Sequence, residues 1–411
     1  MENLTMKKSL LALAAMGAFV GAAQAQSSVS VYGIYDGGFN STNTETSTAG
    51  VISKAITNGW IGGSAASSRL GFRGTEDLGG GRSAVFNLEV GFHAGDGTIT
   101  TTTNVTSTGG VTQTPLSNQS GTGVRTSMVG IADKQLGTVT IGRRTSGIHN
   151  LILGGTGIAG NNMTGYLTSE NMAGGTGYTT NTQVQINAQR MSNGLYYESP
   201  NINGLTARID YSNDGTTTRS YTTSTATSQT ANNISNFGAV LRYQGVKDLD
   251  ISIGTHGVKA TQGLIDAVTT PVTTPGQTAT ATTDTRITAG SVAYTMGGLK
   301  GEFIHARNQT TQANAQTNKV SANMIGLQYQ AGAIMPFAKY GIGETQTGIA
   351  GAANADTKGM QLGAQYTMSK RTSLYAAYGS QEIKVKTSTT ATLVGNTTKR
   401  TEIAAGIVHT F

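Results

Sequence analysis

The sequence predicts an all-β fold, a transmembrane antiparallel β-barrel of sixteen strands. Short periplasmic turns and long external loops would join the strands. Three observations predict it. The last segment, Thr401 to Phe411, alternates strictly and stops on an aromatic: Ile403, Ala405, Ile407, His409 and Phe411 share one face, and Glu402, Ala404, Gly406, Val408 and Thr410 the other. A closed barrel accepts such an end, because its last strand pairs with its first and its outer face meets lipid. The composition is 37% hydrophobic, with 57 glycines and 5 prolines in 411 residues. That is too little for the core of a soluble chain this long, but enough for a barrel that needs only an apolar outer face. Finally, segments with one apolar and one polar face recur along the chain, joined by connectors that are short and long in turn.

The N-terminus reads as a secretory signal peptide, residues 1–25. Met6-Lys7-Lys8 is basic, Leu10 to Gly21 is apolar, and Ala23-Gln24-Ala25 is a small-x-small cleavage site ahead of Gln26. The apolar run is too short to anchor in a membrane. Residues 26–411 would form the barrel. They contain no Cys, so an exported fold must hold without disulfides.

The cleanest strand is Val85 to Phe92, where Phe86, Leu88, Val90 and Phe92 oppose Asn87, Glu89 and Gly91. Phe237 to Gln244 and Met360 to Met368 repeat the pattern. The second face is polar or glycine rather than a second core, which argues against a sandwich. The strands expected are 28–39, 67–76, 82–93, 124–133, 137–144, 190–199, 204–212, 234–244, 249–258, 286–296, 299–308, 319–330, 333–343, 358–368, 372–386 and 399–411. Short turns fall between many of them, such as Asp77–Gly81, Gly297–Gly298 and Ser369–Arg371. Asn40–Ala66, Ala94–Gly123 and Lys259–Thr285 read as long loops. Tyr243, Tyr294, Tyr329 and Tyr366 each precede a short turn, as an interfacial aromatic girdle requires. The longest connector, Thr145 to Gln189, has Glu170 as its one acid and neither Lys nor Arg. It is either an external flap or a segment folded into the lumen.

Several motifs then resemble a known family. Val29 to Asp36 and Ser68 to Gly81 are similar to the first two strands and first turn of betaproteobacterial general porins of the Gram-negative outer membrane. Arg125 to Ile131 and Leu136 to Arg143 resemble the fourth and fifth strands. Tyr196 to Asn201, Ser369 to Tyr375 and the end Gly406 to Phe411 also fit. The resemblance covers residues 26–411. It implies a passive channel for small hydrophilic solutes, a homotrimer, and a constriction loop at about 145–189. It also implies surroundings of outer-membrane lipid and lipopolysaccharide, and a terminal Phe411 read by the barrel-assembly machinery.

The resemblance further carries a pore constriction onto Arg69, Arg125, Arg190 and Glu89. Alternation turns Arg69 and Arg73 inward, since Leu70 and Phe72 would face lipid, and likewise Arg190 and Glu198. Arg125 shares the parity of the outward Val129 and Ile131, so only a bulge or a position above the regular strand would turn it in. Guanidinium groups on a narrow wall concentrate anions, so modest selectivity for small anionic over cationic solutes is expected, with neutral solutes also admitted.

Other chemistries find little support. The five histidines lack metal-ligand spacing, no Ser sits in a nucleophile motif, and the glycine runs lack the Lys-Ser/Thr of a phosphate loop. The formal charge is +7, but the basic residues are scattered and form no nucleic-acid platform. The expectation is a non-enzyme without metal or cofactor. The rival readings are an adhesin or receptor barrel and an outer-membrane barrel enzyme.

Overall fold

The computed structural model describes residues 28–95, 123–154, 163–165, 190–221, 227–267, 281–311, 317–347, 353–388 and 395–411. The expected signal peptide and most of the Ala94–Gly123 connector lie outside these. The first quarter of the sheet contains β1 (Ser28–Thr48), β2 (Val51–Gly62), β3 (Arg69–Gly79), β4 (Arg82–Gly91) and β5 (Gly123–Asp133). Then come β6 (Gly137–Thr145), helix α1 (Gly147–Leu153), β7 (Arg190–Glu198), β8 (Leu205–Tyr221) and β9 (Thr227–Tyr243). The rest are β10 (Leu249–Ala267), β11 (Ala281–Met296), β12 (Leu299–Thr311) and β13 (Thr317–Tyr329). β14 (Ile334–Thr347), β15 (Ala353–Thr367), β16 (Thr372–Ser388) and β17 (Thr397–Thr410) complete it.

From β3 onward each strand pairs antiparallel with the next, and β17 returns to β1 in register from Ile34↔Thr410 to Ser47↔Thr397. The seam closes at the chain end: Gly33 and Phe411 exchange both backbone hydrogen bonds at 3.1 Å. The Phe411 ring lies over Gly33, where a Cβ would stand 2.3 Å from its Cζ. Only glycine permits that approach.

The seventeen strand segments make sixteen staves. β1 pairs with β3 along its lower half (Ser28↔Thr75 to Ile34↔Arg69) and with β2 along its upper half (Gly37↔Gly62 to Thr48↔Val51), so β2 and β3 share one stave. The Asn40–Ala66 segment, expected as a loop, is therefore mostly hairpin. Trp60, expected in that loop, lies on β2 opposite Phe39, with the two rings edge-on at 5.6 Å. The Lys259–Thr285 connector is likewise shortened, because β10 runs to Ala267 and β11 starts at Ala281.

The faces sort as a barrel in lipid demands. Large apolar side chains are exposed in a continuous band, among them Phe86, Leu88, Ile131, Leu241, Phe303, Leu327, Leu362 and Ile407. The four girdle tyrosines belong to it. In a soluble protein these residues would be core. Here the buried positions of the same strands are small or polar, for example Thr140, Ser252, Ala289, Gln361 and Glu402.

Two stretches of the Thr145–Gln189 connector rest on that buried face. On α1, Ile148, Leu151 and Ile152 pack against Ile287, Ala289, Ala306 and Val240 of β9, β11 and β12. Ser146 caps the helix, accepting from the His149 N–H, and Asp210 of β8 accepts from the Gly147 N–H at 2.6 Å. Further on, Met163 packs against Phe337, Tyr375, Ala377 and Ala404. Thr164 donates to Glu402 through its N–H (2.9 Å) and hydroxyl (2.7 Å), and Gln361 donates to the Met163 carbonyl at 3.0 Å.

Candidate functional site

Arg69 sits on β3, opposite Gly91 of β4. Its neighbours Leu70 and Phe72 are exposed to the lipid side, so strict alternation turns Arg69 inward. Glu89 follows the same logic on β4, where Phe86 and Leu88 are the exposed residues of the opposite face. Arg125 needs a different explanation. The β4–β5 register runs Glu89↔Thr126 and then Val90↔Val124, so Arg125 is an extra residue in a bulge. The bulge breaks the parity of Val129 and Ile131 and swings the side chain into the buried face. Arg125 is 8% exposed, and its Nε lies 2.6 Å from Glu89 Oε1.

Glu89 thereby becomes the hub of a cationic cluster. Arg69 Nε stands 4.0 Å from its Oε2, and the Tyr32 hydroxyl donates to the same oxygen at 3.0 Å. Arg190, the first residue of β7, lies within electrostatic range of Arg125, Arg143, Glu89 and Arg69. Its buried Nε has no hydrogen-bond partner among the described residues. Arg73 lies to the side, with its guanidinium 5.0 Å above the Tyr32 ring.

Sequence reasoning missed Arg143. It shares the parity of exposed Ile141, but the β6–β7 register shifts between Gly142 and Arg144, and Gly142 adopts φ of 125°. That kink is what only glycine tolerates. Arg143 donates to the Val124 carbonyl at 2.8 Å and to Ser192 Oγ at 2.5 Å. A glycine next to a strand arginine was the available signal.

Glu198 does not join this group. It pairs with Arg144 at 3.0 Å and Arg208 at 3.5 Å. Arg208 Nε also meets Asp210 Oδ1 at 2.6 Å, and the buried Tyr196 ring lies under both guanidiniums, 5.4 and 5.7 Å from its centroid. Arg208 reaches the Thr145 carbonyl as well, so this second cluster ties β6, β7 and β8 to the start of α1.

A third polar group was also missed in sequence. Asp36, wholly buried on β1, accepts from the Ala65 and Ala66 N–H groups and the Tyr375 hydroxyl, each at 2.8 Å. It holds the chain between β2 and β3 against the wall. Asp36 stands on the face opposite Tyr35 and Phe39, so alternation was the signal for its inward side chain.

A family model for Gram-negative porins matches residues 12–386. An outer membrane porin protein of Bordetella pertussis is 44% identical over 99 residues, 22% of this chain and 26% of its own length. Outer membrane porin protein 32 of Delftia acidovorans is 47% identical over 95 residues, 22% of this chain and 24% of its own. The aligned stretches thus span about a quarter of these relatives. Among solved structures, an anion-selective porin from Comamonas acidovorans superposes with a TM-score of 0.66 at 22% identity, covering 94% of this chain and 100% of its own. A trimer form of OmpT from Vibrio cholerae gives 0.55 at 13% identity, covering 94% and 99%. The fold is theirs: an antiparallel barrel whose apolar band lies in the outer membrane. The chain belongs to the Gram-negative porin family.

Proposed function

We propose that the chain is a passive diffusion channel for small hydrophilic solutes, modestly selective for anions and working as a homotrimer. The observation that carries this reading is the gathering of Arg69, Arg125 and Arg190 about one carboxylate, Glu89, with Arg143 beside Arg190, on one side of the barrel. The wall of β9 to β17 carries the attached stretches of the Thr145–Gln189 connector. In this reading those attached stretches narrow the lumen and press the permeating solute toward the arginines; residues 155–162 and 166–189 of the expected constriction loop lie outside the described residues. The surplus positive charge on a low-dielectric wall then raises the local concentration of anions. Catalysis has no place in this reading, since diffusion through the lumen needs no chemistry.

The test is the reversal potential of purified protein in a planar bilayer under a salt gradient. A unit charge at ~6 Å in water-like dielectric is worth ~0.7 kcal/mol, or ~threefold in local ion concentration. Replacing Arg69 and Arg190 by Gln should lower the anion-to-cation permeability ratio by several-fold. An unchanged ratio would remove the cluster from the pathway. In the same recordings a trimer closes in three equal steps.

Phe411 contributes the last closing hydrogen bonds and, by the family resemblance, the assembly signal. Deleting it should sharply reduce insertion while the few inserted channels conduct as before. Wild-type insertion of the truncated chain would refute its assembly role.

A further inference from the structure

We propose that the outer faces of β11 and β12, with the adjoining ends of β10 and β13, bind the phosphate groups of outer-leaflet lipid. The inference rests on the chain being an outer-membrane barrel, and adds a site that lies outside the lumen.

Parity sets the direction. On β11, Val292, Tyr294 and Met296 are exposed to lipid, and Asp284, Arg286 and Thr288 continue the same face upward. On β12, exposed Leu299 and Phe303 are continued by His305, Arg307 and Gln309. Lys259 continues exposed Ile251 and Ile253 on β10, and Lys319 shares the face of exposed Ile325 and Leu327 on β13. The register makes these neighbours: Arg286 faces Gln309, Gln309 faces Lys319, Thr288 faces Arg307, and Lys259 faces Asp284.

Height places them at the headgroups. Counted from the Met296/Leu299 turn, with ~3.3 Å per residue and a strand tilt of ~40°, Arg307 and Arg286 lie ~20 to 25 Å up the barrel. That is the top edge of a ~25 Å apolar band. A side chain that points outward there meets the phosphate layer rather than acyl chain.

Charge supplies the chemistry. Lys259, Arg286, Arg307 and Lys319 share this face with one acid, Asp284, and none of the four cations forms an ion pair among the described residues. A cavity of about 300 Å³ opens between the two arginines, lined also by Asp284, Thr288, Gln309 and Thr311. Arginine offers two parallel donors to a phosphate, and the threonine and glutamine side chains add neutral ones. The outer face of β14 to β16 differs, since the register there sets Lys358 opposite Glu382 and Lys384 opposite Asp356. There Lys386 is held by Asp356 at 2.7 Å and Glu344 at 3.9 Å, so its charge is satisfied within the chain. The β10–β13 face leaves its cations for an external anion.

The experiment titrates folded, detergent-solubilised full-length protein with bisphosphorylated lipid A and reads bound lipid by native mass spectrometry. At ~1 kcal/mol per basic residue near an anionic surface, each arginine contributes about fivefold. R286Q/R307Q should bind about 25-fold more weakly, and R286K/R307K should keep most of the affinity. K384Q/K386Q, on the self-paired face, should bind as the wild type does. If the double variant is not recovered folded, R307Q alone should weaken binding about fivefold. Wild-type affinity in R286Q/R307Q or in folded R307Q would overturn the proposal, as would an equal loss in K384Q/K386Q. Equal binding of dephosphorylated lipid A would overturn it too. Competition by millimolar inorganic phosphate would make this a free-anion site and refute the lipid assignment. None of these outcomes depends on conductance, so failure here leaves the channel reading to its own test.

Discussion

The two arginine clusters on the wall of β3 to β8 use the same side chains to opposite ends. Around Glu89, Arg69 and Arg125 pair with one carboxylate, Arg190 lies within its range, and Arg143 adds its charge beside Arg190. Around Tyr196, Arg144 and Arg208 meet Glu198 and Asp210 one for one. The first keeps a surplus of positive charge. The second is neutral, packed on an aromatic ring and bonded to the backbone at the start of α1. A balanced, buried cluster fixes geometry and projects little field, whereas an unbalanced one projects field and fixes little. The difference lies in the count of acids and not in the arginines.

The largest expected effect breaks the balanced cluster. Asp210 is 1% exposed and holds both Arg208 and the Gly147 N–H. Asp210→Ala leaves a buried guanidinium half-paired and frees the helix start. Such losses cost ~3 kcal/mol or more. Denaturant unfolding of the folded barrel in detergent should show that loss, and single channels should become noisier as α1 loosens. Stability within ~0.5 kcal/mol of wild type would mean that the cluster is not an anchor.

The next effect sharpens the unbalanced cluster. Glu89→Gln removes its one carboxylate while keeping a hydrogen-bond acceptor for Arg125 and Tyr32. The anion-to-cation permeability ratio should rise, by up to about tenfold in water-like dielectric, about threefold from each ion. A fall in the ratio would mean that Glu89 serves mainly to hold Arg125 in place.

The same contrast explains what could be read from the sequence. Inside the apolar band, lipid writes a period of two into every strand, so Val85 to Phe92 and Phe237 to Gln244 were legible. Arg69 and Glu89 came with them. Above the band both faces meet water and the period fades. Thr- and Asn-rich stretches such as Asn40 to Asn58 or Lys259 to Ala267 then look like loops, although backbone pairing and the strand preference of threonine carry the sheet on through them. Bulges erase parity in another way. Arg125 and Arg143 each sit at a register shift, and simple counting turns both outward. The partners of Glu198 were hidden for a third reason. Its link to Arg208 depends on the pairing of β7 with β8, and its link to Arg144 on that of β6 with β7, neither of which periodicity reports.

The smallest expected effect compares the two clusters directly. Glu198→Gln removes one negative charge from the lumen, as Glu89→Gln does, so bulk electrostatics alone would shift selectivity equally. The clusters differ in what remains. Without Glu198, Arg208 keeps Asp210 and the Thr145 carbonyl, and Arg144 keeps Thr140 Oγ1 at 2.9 Å and the face of Tyr196. The freed charge stays pinned to the wall among fixed dipoles. The permeability ratio should therefore move less than half as far as in Glu89→Gln, measured in the same bilayers at the same gradient. Equal shifts would show that ions sample both clusters alike, and the division into a field-making and a geometry-fixing cluster would fall.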